Sequence, residues 1–89
     1  MLIENSAIEQ AAVKKALSVL KEGKDEAFIC KVIEINFPSL DPFTIAGQAI
    51  LAQTLEMQMQ DMTGETLQQV EVCHRLELTY KSLTGEMFW

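Results

Sequence analysis

Cys73 and His74 are adjacent, which invites a reading as nucleophile and base or as metal ligands. Cooperation would require both side chains to face one point. Neighbouring positions on a helix diverge instead, so the pair does not form a unit. His74 is the single histidine, there is no Cys-x-x-Cys, and no acids cluster at ligand spacing, so neither a metal nor any other cofactor is expected. His74 reads as a surface or partly buried helix residue. Glu56, Glu71 and Glu77 are the next candidates, as an acid/base set. They alternate with Gln, Thr and Arg in the manner of a solvated helix face, whereas acid/base catalysis needs groups held in a cleft. Glu71 with Arg75, and Glu77 with Lys81, stand at i, i+4 in the orientation that favours surface ion pairs. No phosphate loop, nucleophile elbow or dinucleotide fingerprint is present. The chain is not expected to be an enzyme.

Charge narrows the choice of partner. The formal net charge is −6, and it is uneven. Residues 1–40 set six acids against five lysines; residues 41–89 set seven acids against only Arg75 and Lys81. Nucleic-acid affinity rests on Lys and Arg neutralising phosphates, so direct nucleic-acid binding is not expected. A basic protein partner is compatible with the balance.

With 89 residues, 48% of them hydrophobic, and only two Pro and four Gly, the expectation is one folded domain spanning 1–89. Its core is modest for its surface, a shortage that association would relieve. No apolar run is long enough to cross a bilayer, and Met1 to Glu9 lacks a basic n-region, which leads us to expect a cytoplasmic protein without membrane span or signal peptide. Two cysteines are too few for a disulfide scaffold, so Cys30 and Cys73 are read as reduced and buried.

The elements that position these groups read as an all-α fold, a small bundle of three to four helices at about 6–22, 25–36, 42–62 and 65–84. Ser6 and Glu9 form a capping box. Ile8, Ala12, Ala16, Val19 and Leu20 follow at helical spacing, and Gly23 closes the helix. Asp25 caps a second helix in which Phe28, Val32 and Ile35 lie at i, i+4 and i+7; a short strand is the alternative, ended in either case by Pro38. Asp41 and Pro42 supply an N-cap and a first helical position.

Gln53 to Thr66 is echoed 21 residues on, from His74 to Met87, with Leu55/Leu76, Glu56/Glu77, Gly64/Gly85 and Glu65/Glu86 in step. From Ile45 a heptad frame passes through both copies, interrupted by the polar Gln48, Thr66 and Gln69. Two structures satisfy it. Either one continuous helix runs from Pro42 to about Thr84 and pairs with another chain, or Gly64 ends a helix and the last two helices form an antiparallel hairpin, the choice that normal helix lengths favour. Three large apolar residues, Met87, Phe88 and Trp89, close the sequence and are expected to dock on the core or on a partner.

Six of the seven Gln fall within Gln48 to Gln69, interleaved with Met57, Met59 and Met62. Methionine suits surfaces that accept a partner helix, and polar seam residues set register, although the same methionines would also fill a small core. The functional expectation is a small acidic helical protein–protein interaction protein, a regulator, adaptor or secretion-type chaperone, and most simply a homodimer. Its partner would bind the apolar seam of the C-terminal helices through Leu55, Met59, Met62, Leu76, Tyr80, Leu83, Met87, Phe88 and Trp89. The alternative is an acidic charge-mimic inhibitor of a nucleic-acid-binding protein, which the dispersal of the acids weakens. A helical DNA-binding module or small enzyme would need basic or catalytic groups that the sequence lacks.

Overall fold

Three of the four helices begin where a side chain accepts from a free backbone amide. The computed structural model describes residues 4–62 and 64–88, with α1 at Ala7–Lys21, α2 at Glu26–Asn36, α3 at Pro42–Gln60 and α4 at Leu67–Thr84. At α1 the Ser6 hydroxyl accepts from the Glu9 amide at 3.4 Å, while the Glu9 carboxylate accepts from the Ser6 amide at 2.9 Å. The Ser6 amide, and after it the Ser6 hydroxyl, hold the Glu9 carboxyl below its ordinary range. At α2, Asp25 accepts from the Phe28 amide at 2.9 Å. Asp41 occupies the N-cap position of α3, with Pro42 at its first turn, but its carboxylate accepts from the Thr44 hydroxyl at 2.6 Å in place of a backbone amide.

Helix α3 ends at Gln60 with Asp61 as its C-cap, earlier than a stop at Gly64 would place it, and the connection to α4 passes through Gly64, whose φ of 71° is left-handed backbone that favours glycine. The continuous helix is thereby excluded, and α3 and α4 form the hairpin. Thr66 caps α4 by accepting from the Gln69 amide at 3.1 Å, and the Gln69 side chain accepts from the Glu65 amide at the same distance. Two of the three polar interruptions in the heptad frame are therefore the start signal of α4. The third, Gln48, accepts from Asn5 at 2.8 Å and ties down the segment before α1. Gly85, at φ 77°, repeats the stop at the end of α4.

Helices α1 and α3 form the central pair, each touching the other three, while α2 and α4 flank them without touching each other among the described residues. Their buried faces carry small residues, Ala12 and Ala16 on α1 and Ala46, Ala49 and Ala52 on α3. Ile29, Ile33, Ile45, Met59, Leu83 and Val13 supply the bulk of a single core. No strand occurs among the described residues.

The inward face of α2 differs from expectation. Ile29 and Ile33 are buried, Val32 is half-buried, and Phe28 and Ile35 stand in solvent, as does Ile8 on α1. The cause is that α2 carries a second i, i+4 stripe one residue round from the Phe28 stripe, and packing against α1 and α3 selected the pure isoleucine pair. Exposed Phe28 is partly shielded by Lys24, whose Nζ lies 5.3 Å from the ring centroid.

Candidate interaction surface

The seam expected to receive a partner is largely consumed by the fold itself. Leu55, Met59, Tyr80 and Leu83 are buried in the protein's own core. Leu76, Met62 and Phe88 are half-buried, and the Phe88 ring meets Tyr80 edge-on at 5.7 Å between centroids. Phe88 of the terminal triplet therefore docks on its own chain. Met87 is exposed, and Trp89 lies outside the described residues. In this conformation the seam residues hold α3 against α4, because the hairpin brings the two apolar stripes together.

Glu56 also departs from expectation. Instead of facing solvent it is only 7% exposed. Its Oε2 accepts from the Tyr80 hydroxyl at 3.0 Å and from Lys21 Nζ at 2.8 Å, which joins α3 to α4 and α1 through one carboxylate. Burial, then the adjacent Glu56 carboxylate, pushes the Tyr80 phenol well above its usual range, so it stays a hydrogen-bond donor. A buried carboxylate is tolerated only when its oxygens are satisfied, and no buried side-chain N or O among the described residues lacks a partner. The carboxylate neutralises one cation and orients one hydroxyl, and an open groove of about 280 Å³ lined by Lys14, Leu17, Ser18, Lys21, Tyr80 and Glu86 lies against it. A second ion pair, Lys14 to Glu86, fastens the end of the chain to α1.

The remaining reactive groups are not drawn together. His74 faces solvent on α4. Cys73 donates weakly to Glu77 at 3.8 Å, and burial raises its thiol pKa, as it does for Cys30. Both thiols are free, and among the described residues no three His, Cys, Asp or Glu side chains gather as a metal site would require.

What the fold leaves open is the outward side of α3. From Pro42 to Gln60 the only charged residue is Glu56, and it points inward. The outward side therefore runs for five turns without a charge and exposes Phe43 (68%), Ile50 (44%), Leu51 and Met57 (59%). Phe43, Ile50 and Met57 are spaced seven apart, with Gly47 and Thr54 between them, so they form one stripe along the helix. At its N-terminal end the stripe borders a groove of about 460 Å³ between α2 and α3, lined by Glu26, Ala27, Cys30, Lys31, Glu34 and Phe43. Sequence reasoning had followed the inward frame and missed this side. The available signal was the absence of charge over 19 residues, on a helix whose apolar residues surround its whole circumference.

The fold class is thus a four-helix all-α bundle, and no described helix is long and apolar enough to cross a membrane. Compared with protein-family models, curated proteins and solved structures, the chain matches none.

Proposed function

We propose that this protein is a small acidic helical interaction protein, a regulator or adaptor, which holds a helix of another polypeptide against the outward side of α3. The observation that supports this reading is the charge-free apolar stripe Phe43, Ile50 and Met57. In a chain with 22% charged residues, a solvent-facing helix side without any is the composition of an interface centre, where charge is depleted and methionine and aromatic residues are enriched. Because the α3–α4 seam serves the core, the binding role passes from the seam to this side. The free, unactivated thiols fit the cytoplasmic setting that the sequence suggests. Charge mimicry is less well supported, since the acids are dispersed along the chain and the outward side of α3 carries none.

The test is a photo-crosslinking amino acid placed at Leu51, beside the stripe, with the same residue at exposed Lys15 on α1 as control. Crosslinks to protein confined to the Leu51 position, and persisting at high salt, are expected. Equal labelling from both positions, or crosslinks that vanish as salt rises, would refute the reading.

A further inference from the structure

We propose that the occupant of the α3 stripe is a second copy of this chain, lying antiparallel across it with Ile50 on the two-fold axis. This rests on the reading of α3 as the interaction side and names its partner. A two-fold interface must be self-complementary, and the residue series meets that condition. About Ile50 bulky and small residues alternate, Phe43, Gly47, Ile50, Thr54, Met57, with Phe43 and Met57 each seven residues from Ile50. Antiparallel pairing sets Phe43 of one copy against Met57 of the other at both ends, while the small residues fall between the bulky ones and let the helices close.

Four further observations favour a second copy. The chain carries −6, so most of its surface repels another copy; the outward side of α3 adds no charge and is where two molecules can approach without that cost. Gly47 sits in the middle of a helix, and a Cβ there would meet nothing within 4 Å, so the isolated chain gives no reason for glycine where alanine would be the better helix former. A backbone approaching from outside gives one. The same pairing brings Met57 of one copy over the groove beside Phe43, which is apolar along Ala27 and Cys30 and carries Glu26, Lys31 and Glu34 at its rim. The area is also of the right order: the four large side chains leave roughly 400 Å² open, and Gly47, Thr54, Gln58 and the groove wall extend it toward the ~800 Å² per partner of a specific interface.

The experiment uses the full chain in a Cys30→Ser/Cys73→Ser background, with single cysteines introduced as Phe43→Cys, Ile50→Cys or Met57→Cys and a short bis-maleimide that spans two packed helices. Ile50→Cys is expected to crosslink to itself several-fold faster than either end position does. A mixture of Phe43→Cys and Met57→Cys protein should crosslink across the pair. The otherwise native chain should sediment at twice its 10.0 kDa mass at micromolar concentration, and Ile50→Lys at its own mass with unchanged helicity, since Ile50 lies outside the core. Self-crosslinking of Phe43→Cys as fast as Ile50→Cys would overturn the antiparallel register. A monomer that still crosslinks to other proteins from Leu51 would overturn self-pairing and leave the interaction reading standing. A monomer with no crosslinks from Leu51 would remove both.

Discussion

Replacing Tyr80 by Phe deletes one oxygen and leaves the Glu56 carboxylate facing the core with only Lys21 to neutralise it. The ring remains, so the edge contact with Phe88 and the apolar packing are retained. What disappears is a hydrogen bond to a buried charged acceptor, 3.0 Å long and shielded from water. Removing such a bond costs about 2 kcal/mol, which for a domain of this size lowers Tm by roughly 8–16 °C. Lys21→Met removes the only cation bonded to that carboxylate; the lysine side chain is half exposed, but the Glu56 side chain is only 9% exposed and water does not replace the ammonium, so its cost should be no smaller than that of Tyr80→Phe. A cost of Lys21→Met at or above that of Tyr80→Phe is the first expectation for urea unfolding followed by far-UV circular dichroism. The second is non-additivity: Glu56→Leu/Tyr80→Phe removes both sides of the bond, frees Lys21 to turn to solvent, and should be more stable than Tyr80→Phe alone. A pH arm adds a sign. The folded state holds the Tyr80 phenol protonated beyond the pH at which an unfolded tyrosine ionises. Its contribution is therefore complete below about pH 10 and is lost as pH climbs further, a decline that Tyr80→Phe should flatten. A cost for Lys21→Met well below that of Tyr80→Phe, or strict additivity in the double variant, would refute the buried-acceptor argument.

Two other substitutions separate local backbone effects from association. Gly64→Ala forces a Cβ into left-handed backbone with nothing within 4 Å to clash, so its cost should be the conformational ~1 kcal/mol, and Gly64→Asn, which tolerates that region better, should cost less; equal stability of all three in thermal melts would contradict the break at Gly64. Gly47→Ala should stabilise the isolated chain by about 0.5–1 kcal/mol while weakening association measured by sedimentation, and a gain in both would refute a close approach at Gly47.

Helix starts and stops were readable because each is written locally. Ser6 with Glu9, Asp25, Pro42 and the glycines at 23, 64 and 85 act within a few residues of themselves, and the four helices begin and end within two residues of the expected positions. Which side of a helix faces inward is decided by partners far along the chain. On α2, Phe28 and Ile29 head equally good apolar stripes, and only the arrival of α1 and α3 chose between them. Glu56 read as a surface acid for the same reason: its donors, Lys21 and Tyr80, are 35 and 24 residues away. The heptad frame was real as a pattern, but its partner was the same chain. Thr66 and Gln69 looked like register devices because a capping pair and a polar seam pair share the same residue types at the same spacing.

The distribution of polarity on α3 carries the functional argument. A helix with one side in water ordinarily turns its charges to that side and its apolar stripe inward. On α3 the single charge turns inward and Phe43, Ile50 and Met57 turn outward. Folding of one chain alone gains from neither choice. Burying Glu56 sacrifices its hydration, recovered only through Tyr80 and Lys21. Exposing Phe43 at 68% leaves most of an aromatic side chain in water, where burial would stabilise it. Both choices become coherent if the outward side of α3 is covered by another helix: the charge is then moved out of an interface that tolerates none, and the exposed stripe acquires its contacts on association. The inversion is therefore better explained as a property of the assembled state than of the isolated bundle.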